Sequence, residues 1–140
     1  MNQSLLNDSA LPVLTDVIEL ETPLSPLANL LKAAGDPLRL EILRVLSQDS
    51  FGVLELCRIF SIKQSGMSHH LKVLNNAGLL SSRREANSIF YRRAYLAPDH
   101  PFVALQQQLF ATVDTLPIAD HLREPIRELQ SERSQAAQAL

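Results

Sequence analysis

Gln64-Ser65-Gly66-Met67-Ser68-His69-His70-Leu71-Lys72-Val73-Leu74-Asn75-Asn76 is the stretch whose reading decides the fold. Met67, Leu71 and Leu74 recur at i, i+4 and i+7, which places them on one apolar face of a helix. The opposite side presents Gln64, Ser65, Ser68, His69 and Lys72, all able to hydrogen-bond and none of them acidic. A helix face chosen for solubility alone normally mixes Glu with Lys. Ser65 and Gly66 are small, so the start of this helix can come close to a groove floor, and its free amides favour phosphate. Gln, Ser and His are also ordinary surface residues, and what flanks the helix has to settle which description applies.

Upstream, Leu27, Leu30 and Leu31 repeat at helical spacing and Gly35 offers a stop. Asp36-Pro37 reads as an N-cap followed by a first-turn proline. The next helix places Leu38, Ile42, Val45 and Leu46 together. Ser50-Phe51-Gly52 is a short extended connection. Val53 to Phe60 forms a third helix with Leu56, Ile59 and Phe60 inward, and Ser61-Ile62-Lys63 turns tightly into the fourth. Gly78 ends that fourth helix.

Downstream the period changes from helical to alternating. Leu79–Glu85 and Ser88–Arg93 read as two strands joined at Ala86-Asn87, with Asn87 suited to the positive φ that a two-residue hairpin loop needs. Arg83 and Arg84 on one strand and Arg92 and Arg93 on the other cannot all face one way, because side chains alternate. One set can reach phosphates or a minor groove while the other skirts the body. Ile89, Phe90 and Tyr91 supply packing for this wing. Phe102, Leu105, Leu109, Val113 and Leu116 mark a long amphipathic helix ended by Pro117. A last polar helix carries Ile118, Leu122, Ile126 and Leu129, bent or restarted at Pro125.

The net charge of −2 hides a strong division along the chain. Residues 58–93 hold seven bases against Glu85 alone, a local charge of +6. Residues 1–31 carry −4, residues 32–57 carry −1 and residues 94–140 carry −3. A basic block between acidic flanks is the footprint of a surface that meets phosphates, and on charge alone a solvated face is an equal reading. At 140 residues there is room for one domain with a real core plus short extensions. No apolar run nears the roughly 20 residues that span a bilayer, and the N-terminus has no signal-peptide features. We therefore expect a cytoplasmic protein. A single cysteine, Cys57, excludes a disulfide framework or a multi-thiolate zinc site within one chain.

At this point a resemblance becomes specific. Leu31-Lys32-Ala33-Ala34-Gly35-Asp36-Pro37-Leu38-Arg39-Leu40-Glu41-Ile42-Leu43 resembles the opening of an ArsR-type (ArsR/SmtB) regulator. The likeness continues through Glu55-Leu56-Cys57, the Ser68-His69-His70-Leu71-Lys72-Val73-Leu74 string, Ala77-Gly78-Leu79-Leu80 and Phe90-Tyr91-Arg92. It covers roughly residues 27–96. The resemblance implies a homodimer of winged helix-turn-helix units, paired through the first and last long helices. It also implies a repressor that leaves DNA when an effector binds.

Departures from the family pattern limit what can be carried over. Many relatives sense metals through Cys-x-Cys in the third helix, whereas here Cys57 is followed by Arg58-Ile59. Others use a final-helix site of which only His121-x-x-Glu124 is present, because the earlier half reads Gln108-Leu109-Phe110. Cys57 then reads either as a small hydrophobe or as a redox thiol. Lys63 replaces the usual Ser or Thr cap, which weakens the helix start or adds a phosphate contact.

The expected fold is mainly α with a small β-hairpin: an arm or accessory helix over 1–25, a winged helix-turn-helix over 26–97, and a dimerisation helix with a polar extension over 98–140. The expected function is a sequence-specific DNA-binding regulator, with no catalytic residues, metal or cofactor. Its partners are a second copy and double-stranded DNA carrying an inverted repeat; no membrane is expected. Gln64, Ser65, Ser68 and His69 would read bases, and Lys63, Lys72, Arg83, Arg84 and Arg92 would hold phosphates or the minor groove. The alternative is a winged-helix module used for protein–protein contact. An enzyme is disfavoured: His69 and His70 lack an acid partner in sequence, and there is no nucleophile elbow or phosphate loop.

Overall fold

The computed structural model describes residues 21–139, so the expected arm or accessory helix over 1–25 lies almost wholly outside the described residues. Helices α1 (Ser25–Ala34), α2 (Pro37–Val45), α3 (Val53–Phe60) and α4 (Gln64–Asn76) come first, with strand β1 (Phe51–Gly52) between α2 and α3. Strands β2 (Leu80–Glu85) and β3 (Ser88–Arg93) follow, then α5 (Val103–Asp114) and α6 (Asp120–Ala139).

Local chemistry accounts for the helix ends. Asp36 Oδ2 accepts the Arg39 amide at 3.0 Å and caps α2, with Pro37 in the first turn. Gly78 takes φ +79 just beyond α4, and the Leu79 amide donates back to the Leu74 carbonyl at 3.0 Å, so the helix stops where a left-handed residue is tolerated. Ser61 holds a left-handed φ of 56 at the end of α3, forming the turn into α4.

Ser50-Phe51-Gly52 is more than a connection. Phe51 and Gly52 pair with Tyr91 and Phe90, making a three-stranded antiparallel sheet in the order β1-β3-β2 rather than a lone hairpin. Two residues are too few to show a period, which is why the strand is invisible in the sequence. The turn residue also differs from expectation. Ala86, not Asn87, takes the positive φ at 54. The β2–β3 register, in which Glu85 opposes Ser88, makes Ala86 the first of the two loop residues, where the left-handed conformation falls.

The core is one cluster. Ile42, Leu43, Leu56, Met67, Leu71, Leu74, Leu79 and Leu122 are fully enclosed, and every helix from α1 to α6 contributes to it. The stripe read on α5 holds in part: Val113 is buried and Phe102 and Leu109 pack against the core. Gln106 and Phe110 also turn inward, whereas Leu105 is 38% exposed and Leu116, just past the helix, is 60% exposed. Gln106 is buried because it bridges two backbones, donating to the Gly78 carbonyl at 2.8 Å and accepting the Leu96 amide at 2.9 Å. The last helix runs through Pro125 without restarting and buries Leu122, Ile126 and Leu129, largely against α3. No helix among the described residues is long and apolar enough to cross a membrane.

Candidate nucleic-acid interface

Helices α3 and α4 and the β2–β3 wing converge on one surface. Within α4 the two faces separate as the sequence requires: Met67, Leu71 and Leu74 have no exposed surface, while Gln64, Ser65, Ser68, His69 and Lys72 are exposed. Lys63 occupies the N-cap and its side chain makes no capping bond, so the first amides of α4 keep their hydrogen-bonding capacity. A Cβ placed on Gly66 would meet nothing within 4 Å, leaving the start of α4 open to whatever lies against it. An open cleft of about 480 Å³ separates α4 from the wing, lined by Leu54, Gln64, Ser68, Ser88 and Phe90 among others.

The basic block does not act as a unit. Arg93 is buried, donating from Nε to the Leu43 carbonyl at 2.8 Å and bidentately to Asp114 at 2.9 and 2.6 Å. Its guanidinium lies 4.6 Å from the Phe110 ring centroid. Arg93 holds the Asp114 carboxyl below the usual carboxylate range by hydrogen bonding to it. Arg58 is paired bidentately with Glu132 at 3.1 and 2.6 Å, a hydrogen bond that raises the already high pKa of the guanidinium. Two of the seven bases in residues 58–93 are thereby tied to acids of the C-terminal helices. Arg83 reaches its wing neighbour Glu85 at 2.9 Å, and both remain exposed. Among the described residues, Lys63, Lys72, Arg84 and Arg92 have no acidic partner within 4.0 Å and all are exposed.

The wing register assigns faces. Arg84 opposes Ile89, Ser82 opposes Tyr91 and Leu80 opposes Arg93, so Arg84 shares a face with residues that pack inward nearer the sheet root. Arg83 lies opposite Phe90 and on the same face as Arg92, whose Nε reaches Ser81 Oγ at 3.4 Å. The alternation seen in the sequence thus divides the arginines between two faces.

His70, next to the exposed His69, is half-buried. Its Nδ1 lies 3.2 Å from Arg39 Nη1, while the same guanidinium donates to the carbonyls of Ala33 at 2.8 Å and Lys32 at 3.2 Å. Burial lowers the His70 pKa, and the Arg39 charge adds to the effect while Asp36 opposes it. A neutral imidazole accepting from Arg39 fits this setting, and it links α4 to the end of α1. The Asp36-Pro37-Leu38-Arg39 sequence carried a cap signal for this region but nothing that paired residues 39 and 70.

Cys57 is half-buried, and desolvation pushes its thiol pKa upward, the opposite of what a reactive thiolate needs. His121 is exposed on α6, and Glu124 is engaged by Arg127 at 2.7 Å. No three His, Cys, Asp or Glu side chains converge among the described residues.

Comparison with known proteins gives a consistent family. Residues 36–82 match the model of the bacterial regulatory protein, arsR family. A biofilm growth-associated repressor of Agrobacterium fabrum is 41% identical over 75 residues, covering 54% of this chain and 64% of that protein. The match thus spans slightly less than two thirds of this relative's length. A biofilm growth-associated repressor of Xylella fastidiosa is 34% identical over 87 residues, covering 62% of this chain and 75% of that protein. Among solved structures, the homodimeric winged helix-turn-helix DNA-binding domain of a possible ArsR-family transcriptional regulator from Mycobacterium bovis superposes with a TM-score of 0.55. It is 28% identical, with 66% of this chain and 78% of that one covered.

Proposed function

Since this chain belongs to the arsR family of bacterial regulatory proteins, we propose that it is a sequence-specific DNA-binding transcriptional regulator, a repressor that an effector releases from DNA. The observation that carries this reading is the exposed, acid-free face of α4 beside a wing whose Arg84 and Arg92 have no acidic partner among the described residues. Gln64, Ser65, Ser68 and His69 read base edges from α4. Lys63, Lys72, Arg84 and Arg92 neutralise phosphates, and Arg83 joins them by exchanging its exposed bond to Glu85 for a phosphate.

Homodimerisation is part of the proposal. Leu24 and Leu31 on or beside α1, and Leu105 and Leu116 on or beside α5, are exposed large apolar side chains on the helices that the family likeness assigns to pairing. Two α4 helices related by a dyad would enter successive major grooves about 34 Å apart and read an inverted repeat.

The test is binding of the purified chain to duplex DNA from upstream of its own coding sequence, against a scrambled duplex, across a salt series. Preference for the upstream duplex with a steep salt dependence is expected. His69→Ala should reduce that preference by about 1–3 kcal/mol. Arg84→Ala should weaken both duplexes alike and make the log–log salt slope shallower by about 1. Equal, weak binding to both duplexes at low salt would instead favour a winged-helix module that contacts protein.

A further inference from the structure

We propose that α6 is a strap that sets the position of α3 and of the wing root, with Arg133 as its positioning residue; the consequence for DNA rests on the DNA-binding reading above. The apolar seam of Leu122, Ile126 and Leu129, spaced i, i+4 and i+7, seats the helix. Beyond the seam α6 carries Glu132 and Arg133, and α3 carries Glu55 and Arg58. The pairs cross in complementary fashion. Glu132 accepts from Arg58 Nη1 and Nη2, and Arg133 Nη2 donates to Glu55 Oε1 at 2.7 Å.

Arg133 sits at a mechanical joint. Glu55 Oε1, its acceptor, also accepts the Gly52 amide at 2.9 Å and so closes the first turn of α3. The Arg133 guanidinium lies 4.8 Å from the centroid of Phe51. Phe51 and Gly52 are the whole of β1, paired with Tyr91 and Phe90 on β3 of the wing. One side chain from the C-terminal helix therefore touches the strand that anchors the wing and the carboxylate that starts α3, and α3 packs on α4. The ion pairs are partly exposed and individually weak, so the seam supplies the adhesion and the pairs fix the register.

The full chain is compared with Arg133→Gln and Arg133→Lys, first without DNA, by amide hydrogen exchange. Arg133→Gln is expected to speed exchange over Gly52–Leu56 about tenfold or more, with Leu71 and Leu74 unchanged and Arg133→Lys intermediate. Affinity for the upstream duplex should then fall about fivefold or more in Arg133→Gln, recover partly in Arg133→Lys, and keep its salt slope, since no phosphate contact is removed. Unchanged exchange over Gly52–Leu56 overturns the strap, whatever the DNA does. Faster exchange with unaltered DNA affinity overturns its role in setting the reading geometry. If the unmodified chain binds neither duplex, the DNA-binding reading fails and takes the reading-geometry role with it, while the exchange result still decides the mechanical claim.

Discussion

Replacing Arg93 by Ala should destabilise the protein and leave its salt dependence on DNA unchanged. The side chain is 3% exposed, fills space between α2 and α5, and makes three hydrogen bonds plus a contact with the Phe110 ring. Removing one partner of a buried ion pair costs about 3–5 kcal/mol. Asp114 is 41% exposed and regains water when released, so the pair itself falls well below that range, at about 1 kcal/mol. The orphaned Leu43 carbonyl and the lost ring contact add to that cost rather than offsetting it. A total of about 3 kcal/mol, with a urea m-value of about 2 kcal/mol/M, moves the unfolding midpoint down by about 1.5 M. Arg93→Lys keeps the charge but loses the fork geometry, and should fall between. The pH dependence supplies a second check. Asp114 has its carboxyl pKa depressed by Arg93, so the stability it contributes is present above its unfolded value near 3.8 and is lost as pH falls through the lower folded value. The gap between the native chain and Arg93→Ala should therefore narrow below that range. A midpoint shift under about 0.5 M, or a shallower salt slope for DNA in Arg93→Ala, would refute the argument and return Arg93 to the DNA face.

Gly66→Ala should raise thermal stability by about 1 kcal/mol, because the new methyl meets nothing within 4 Å and the helix gains a better former. The same variant should bind the upstream duplex more weakly if α4 enters a groove at its N-terminus, so opposite signs in calorimetry and in a binding titration are expected. His70 is neutral in the fold, with its pKa lowered by burial. The stability it contributes is present above the unfolded value near 6.5 and declines as pH falls toward the folded value. Urea titrations from pH 7.5 to 5 should show this decline, and His70→Gln, which still offers an acceptor to Arg39, should flatten it. Ala86→Gly relieves a left-handed alanine at the wing tip and should stabilise the hairpin by about 1 kcal/mol, read as slower exchange of the β2–β3 amides.

The order of helices, the caps at Asp36 and Gly78, and the division of α4 into an apolar and an acid-free face were legible in the sequence. Each follows from spacing along one helix or from the chemistry of one residue. The exposed polar set Gln64, Ser65, Ser68, His69 and Lys72 followed from the inward turn of Met67, Leu71 and Leu74, because a helix has only those two sides.

What tertiary structure alone decided is which partner each polar group finds. A count of charge along the chain treats Arg58, Arg84 and Arg93 alike. In the fold, Arg58 meets Glu132 seventy-four positions away, Arg93 is buried against Asp114, and Arg84 has no acidic partner among the described residues. The inward place of Gln106, the strand at Phe51–Gly52 and the docking of α6 on α3 likewise depend on pairings between distant segments. The sequence by itself determined the elements and the two-sided character of α4, since those are set within a few residues by helical and strand periods. The tertiary structure decided which members of the basic block are paired with acids, since charge is neutralised through space and not along the chain.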